Sequence, residues 1–169
     1  MNQHIYLSIG RYAIFFRGGR VDICHLAKRD PEKYVSNRDI ERELSMIGYT
    51  TIGTKNLEKA LSFYDALLEL VNGKQLMGLD RIKFYGTDAG GAMLAVCTPA
   101  DESHHQCGNG QMVAIPGGSP EGADALYAKA IELGATDEGA PGQRFPFFYG
   151  GYVRDPDGNK LCFFHMTPA

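Results

Sequence analysis

The feature that most constrains this chain is an order of elements that occurs twice between Met46 and His165. Ile47–Thr54 is rich in β-branched residues and predicts a strand. Asn56 suits a helix N-cap, and Leu57, Ala60, Leu61, Tyr64, Leu67, Leu68 and Val71 follow at helical spacing on one apolar face. Asn72-Gly73 ends that helix, with Gly73 expected to take the left-handed conformation. Three short strands are predicted next, at Lys74–Leu79, Arg81–Tyr85 and Ala92–Cys97. The order then recurs: a strand at Gln111–Ile115, a helix opened by Ser119-Pro120-Glu121 and closed by Gly134, and strands near Ala135–Glu138, Phe148–Arg154 and Lys160–His165. The last two strands are joined by Asp155-Pro156-Asp157-Gly158-Asn159, a tight turn in which Gly158 supplies the positive φ.

One β-α-β-β-β unit alone leaves a sheet face uncovered. The expected fold is therefore α+β: two βαβββ modules, about 46–98 and 108–166, pair into a cup-shaped, partly open mixed sheet with the helices outside. Residues 46–169 form this domain. Residues 1–45 are expected to be a poorly ordered N-terminal extension, since termini are commonly disordered unless tied down. A folded accessory strand built from Ile5–Phe16 is the competing reading.

Composition narrows the functional class. With 169 residues, 44% hydrophobic and 22% charged, the chain has the profile of a soluble globular protein. A net charge of -3, with basic residues sparse on the domain, argues against a nucleic-acid partner. No apolar run approaches the ~20 residues that span a bilayer, so no membrane partner is expected. Arg11 interrupts the N-terminal apolar patch and no small-residue cleavage site follows, so no secretory leader is expected either. Cys24, Cys97, Cys107 and Cys162 lie far apart without a CxxC pair; reduced cysteines in a cytoplasmic protein are the expectation.

Three segments carry a family resemblance. IGYTTIGTKNLEKALSFYDALL, with its Phe63-Tyr64 pair, resembles the opening of a vicinal-oxygen-chelate protein. GNGQMVAI followed by SPEGADALYAKAIELGA resembles the opening of the second module, and FYGGYVRDPDGNKLCFF the closing hairpin. That superfamily includes lactoylglutathione lyases, extradiol dioxygenases, fosfomycin-resistance enzymes and bleomycin-binding resistance proteins. Its enzymes hold one divalent metal through a His on the first strand, a His on the first strand of module two and a Glu on the last strand. The resemblance places these positions on Tyr49, Met112 and Cys162, none of which is His, Asp or Glu. Such a set does not suit the hard or borderline ions that metal-assisted catalysis uses. No metal and no other cofactor is expected.

Strand alternation sketches a ligand-binding surface in their place. Tyr49 and Thr51 share a face, Met112 lies on the second module, and Tyr152, Arg154, Cys162 and Phe164 lie on the closing hairpin. Arg154 suits an anionic group of a ligand, or else a structural partner of the acidic turn. Phe147, Phe148 and Tyr149 are read as a mobile cap hinged at Gly150-Gly151, or those glycines permit close packing. His104, His105 and Cys107, near Asp101 and Glu102, lie in a linker expected to be solvent-exposed.

The expected function is a small-molecule-binding protein of the glyoxalase and bleomycin-resistance type without the usual catalytic metal. The alternative is a lactoylglutathione-lyase-type lyase or isomerase. The resemblance further implies a homodimer, since family members often place the cup at or near a dimer interface.

Overall fold

The computed structural model describes the backbone of residues 6–9, 12–17 and 20–25, and residues 46–167. Tyr6–Ile9 (β1), Tyr12–Arg17 (β2) and Arg20–His25 (β3) form an antiparallel three-stranded sheet in chain order, within a unit that ends at Gly48. β1 and all of β2 but its last residue, Arg17, fall within the Ile5–Phe16 segment. The expectation of a poorly ordered extension concerns residues most of which lie outside those described.

The second unit, Tyr49–Ala169, contains the repeated order. Its first half comprises β4 (Tyr49–Gly53), α1 (Leu57–Leu68) with a single 3-10 turn at Glu69–Val71, β5 (Lys74–Leu79), β6 (Ile82–Gly86) and β7 (Met93–Cys97). Its second half comprises β8 (Val113–Pro116), α2 (Pro120–Glu132), β9 (Thr136–Phe145), β10 (Phe148–Arg154) and β11 (Lys160–Met166). Each half builds a four-stranded mixed sheet, in the orders β4-β7-β6-β5 and β8-β11-β10-β9. In both, the first strand of the module pairs parallel with its last, and the remaining pairs are antiparallel. The α+β fold of two βαβββ modules is the one predicted.

Local chemistry explains the helices. Asn56 accepts a hydrogen bond from the Lys59 N–H at 3.1 Å, and Ser119 accepts one from Gly122 N–H at 3.1 Å, with Pro120 in the first turn. Ala60, Phe63, Tyr64, Leu67 and Leu68 of α1 are buried against Ile52, Tyr85, Leu94 and Val96. Ala123, Leu126 and Ala130 of α2 join the same cluster as Ile115, Val153, Leu161 and Phe163. One apolar core therefore serves both modules.

Two local expectations are corrected, and of the two readings of Gly150-Gly151 the close-packing one holds. The left-handed residue after α1 is Asn72, at φ 57°, whereas Gly73 serves close approach: an added Cβ would lie 2.9 Å from Leu68 Cβ. The strand after α2 continues from Thr136 to Phe145 through Pro141. β9 is a sheet edge, the place in a sheet where proline is tolerated. Gly150 and Gly151 lie buried inside β10 and form no hinge. A Cβ on Gly151 would come within 2.9 Å of the Pro141 ring, and one on Gly150 within 2.9 Å of the Phe163 carbonyl. These glycines permit close packing at a bulge in the β9–β10 ladder.

Candidate functional site

The DPDGN turn fixes one module on the other. The Tyr64 hydroxyl of α1 donates to Asp155 Oδ2 at 2.5 Å, and Asn159 Nδ2 donates to Asp155 Oδ2 and to the Gly53 carbonyl, each at 2.8 Å. Thr54 Oγ1 donates to Asp157 Oδ2, while Lys55 N–H donates to Asp157 Oδ1. Burial, with Asp155 beside it, raises the Tyr64 phenol well above its ordinary pKa. The turn was legible as good turn chemistry; its role as a lock between modules depends on residues about a hundred positions away.

Beside this lock lies a cleft of about 490 Å³. Thr51 and Gly53 of β4, Gln111 and Met112 before β8, and Asn159 and Lys160 at the start of β11 line it. The linker crosses it. The His105 ring sits where a side chain at Gly53 would be, so that a Cβ there would overlap the imidazole. Cys107 Sγ lies 3.4 Å from His105 Nε2 and 3.4 Å from the Asp157 carbonyl. Burial, followed by Asp155, raises the Cys107 thiol pKa, which keeps it a protonated donor at neutral pH. Most of the linker is exposed, as expected, but His105 is half-buried.

The seven residues singled out by sequence fall into three groups. Thr51 and Met112 line the cleft. Met112 precedes β8 rather than lying in it, because that strand begins at Val113. Tyr49 stands edge-on to Phe84 with ring centroids 5.2 Å apart, and is 54% exposed. Tyr152, Arg154, Cys162 and Phe164 belong to the β10–β11 ladder, where Tyr152 faces Cys162 and Arg154 faces Lys160. Since Val153, Leu161 and Phe163 are in the core, strand alternation places these four on the opposite face of the sheet.

On that face Cys162 is fully buried, which raises its thiol pKa; Lys160 and Arg144 act against the shift. Phe164 stacks on Phe148 at 5.5 Å. Arg154 pairs with Glu138 at 2.6 Å and donates to the Gly158 carbonyl at 2.8 Å. Lys160 pairs with Glu138 at 3.0 Å. Hydrogen bonds from Lys160 and Arg154 lower the Glu138 pKa.

The three positions that the resemblance assigns to metal ligands do not fit a divalent ion. Tyr49 is packed against Phe84, Met112 offers a thioether, and Cys162 is buried as a thiol. Among the described residues no three His, Cys, Asp or Glu side chains converge as a metal site. Sequence reasoning missed Lys160, Asn159 and Arg144. Their participation rests on contacts between strands, and only Gly53, a missing side chain on the cleft-facing alternation of β4, hinted at His105.

No curated protein sequence matches the chain. Among solved structures, a glyoxalase/bleomycin resistance protein from Albidiferax ferrireducens T118 is 35% identical, with a TM-score of 0.67 over 73% of this chain and 100% of that one. A putative glyoxalase from Bacillus halodurans is 22% identical, with a TM-score of 0.59 over 70% of this chain and 94% of that one. A lactoylglutathione lyase from Agrobacterium tumefaciens is 19% identical, with a TM-score of 0.51 over 70% of this chain and 91% of that one; at such identities the likeness is one of fold. The family profile Glyoxalase/Bleomycin resistance protein/Dioxygenase superfamily matches residues 46–163. With its repeated modules and closing turn, the chain belongs to that superfamily.

Proposed function

We propose that the protein binds a small organic molecule in the cup, without the divalent metal that enzymes of the superfamily use. What carries this reading is a cleft of about 490 Å³ in a chain whose Tyr49, Met112 and Cys162 stand where the resemblance assigns the metal ligands. A cleft of that size suits a small ligand held by apolar walls and a few polar groups. Thr51 and Met112 line that cleft, and the proposal extends the binding surface to Tyr152, Arg154 and Phe164 on the hairpin face opposite the core, where Cys162 is buried. Elemental analysis of the purified protein, combined with native mass spectrometry, tests the reading. Sub-stoichiometric metal and a retained or titratable organic ligand are expected; one Zn, Ni, Fe or Mn ion per chain, bound in the cup, overturns it.

The lyase alternative requires an acid–base group at the cleft. His105 is such a group by position, and its Nε2 lies beside the Cys107 thiol. Turnover of hemithioacetals that is lost in His105→Ala would favour the lyase.

A homodimer in the cytoplasm completes the proposal. Exposed Leu76, Met77 and Leu79 on β5, with Phe145 and Phe147 near the β9–β10 turn, offer apolar area for a second copy. Among the described residues no helix is long and apolar enough to cross a membrane. Light scattering would read a mass twice that of the chain, and cell fractionation would test the compartment.

A further inference from the structure

Two cations lie over one tyrosine on the sheet of β8 to β11. The Arg144 guanidinium carbon and Lys160 Nζ each lie 5.4 Å from the centroid of the Tyr152 ring. Arg154 is next on the same face of β10, across the ladder from Lys160. Glu138 is the carboxylate that answers them, and it is shared between Arg154 and Lys160. Arg144 donates to the Ala140 carbonyl at 2.6 Å and has no carboxylate partner among the described residues. Both charges lie over the Tyr152 ring, whose cross-strand partner is Cys162, the position where the resemblance places a metal-ligating carboxylate. Charge at this point of the cup is thus reversed: the side chain that would offer an anion to a metal is a buried thiol, and cations stand around it.

Next to the cations the surface becomes aromatic. Phe164 is two residues from Cys162 on the same strand face and stacks on Phe148, while Lys160 reaches the cleft. A ring quadrupole attracts cations but leaves their formal charge uncompensated. The guanidinium fork suits a planar two-oxygen acceptor.

We infer that this face binds an organic carboxylate with an apolar or aromatic body, its carboxylate held by Arg144 and Lys160 and its body lying toward Phe164. The inference rests on the metal-free ligand cup and names the class of its ligand. Arg144 provides the uncommitted charge, and Lys160 turns toward the anion as its pairing with Glu138 loosens. Glu138 limits affinity by competing for the same cations.

Calorimetric titration of the full chain with benzoate and with its neutral counterpart benzamide tests this, with backbone amide shifts locating the site. Benzoate is expected to bind at least about tenfold more tightly than benzamide, the difference falling with added salt. Arg144→Gln, on an exposed side chain, is expected to weaken benzoate about tenfold, the loss of one charge-assisted pair, and to leave benzamide unchanged. Glu138→Gln is expected to tighten benzoate. Amide shifts should concentrate at Tyr152, Cys162 and Phe164. Equal binding of the two probes, benzoate affinity unmoved by either substitution, shifts confined elsewhere, or no binding of benzoate would each overturn the inference. Equal binding at Tyr152 and Phe164 would remove the anion preference and leave the ligand cup standing. The cup without metal fails separately, on a stoichiometric ion.

Discussion

Tyr64 and Asp155, 1% and 5% exposed, share a 2.5 Å hydrogen bond that ties the helix of the first module to the closing turn of the second. Asp155 Oδ2 also accepts from Asn159 Nδ2, while Oδ1 accepts from the Asp157 and Asn159 backbone N–H groups. Tyr64→Phe removes one of these donors from a buried carboxylate. A loss of about 1–3 kcal/mol is expected, the usual cost of an incompletely satisfied buried group. Denaturant titration at neutral pH measures it, and an unchanged midpoint would contradict the lock.

Alkaline pH should act on the same contact. Burial, with an aspartate as hydrogen-bond partner, raises the phenol pKa of both Tyr64 and Tyr85 above 10.0. Above that value the unfolded chain releases phenolic protons that the folded chain retains. The stability from these two groups is therefore complete below pH 10 and is lost as pH rises through the folded values. Tyr64→Phe should flatten part of this alkaline fall. A midpoint that is independent of pH above 10 would show the phenols to be unshifted.

A single core predicts a single transition. Leu67 of α1 and Leu126 of α2 are almost completely buried in one apolar cluster. Leu67→Ala and Leu126→Ala are each expected to cost about 2–5 kcal/mol through lost burial and residual cavity. Amide hydrogen exchange should report both losses in both modules. Protection lost only in the substituted module would mean that the cores open independently.

His105 and Gly53 should be energetically coupled. An alanine at Gly53 overlaps the imidazole and must displace it. Gly53→Ala is expected to cost about 1–3 kcal/mol, the range for overpacking. With His105→Ala already in place, most of that cost should vanish. A double-mutant cycle reads the coupling, and strict additivity would show that the linker does not rest on β4.

Much of this fold is written locally. The Asn56 and Ser119 caps, the apolar faces of both helices and the turn at Gly158 appear in sequence because each depends on neighbours a few residues away. The same locality explains the errors. The two glycines of β10 admit a hinge when read alone, yet Gly151 packs on Pro141 of β9 and Gly150 on β11.

The candidate site was legible only in part. Alternation puts Tyr152, Arg154, Cys162 and Phe164 on one face of the closing hairpin because a strand repeats every two residues, and the register then pairs Tyr152 with Cys162. It carries no information about which distant strand end brings Arg144 over Tyr152, or which linker residue fills the space at Gly53.

The sequence by itself determined the repeated modules and, through three matching segments, their family, and the resemblance places Tyr49, Met112 and Cys162 at the metal positions, since the order of elements and the motifs are read along the chain. Tertiary structure decided that the DPDGN turn locks the modules together, that His105 enters the cleft, and that Arg144 and Lys160 gather around Tyr152. Each of those is a contact across the fold, set by packing and charge between segments that no local pattern joins.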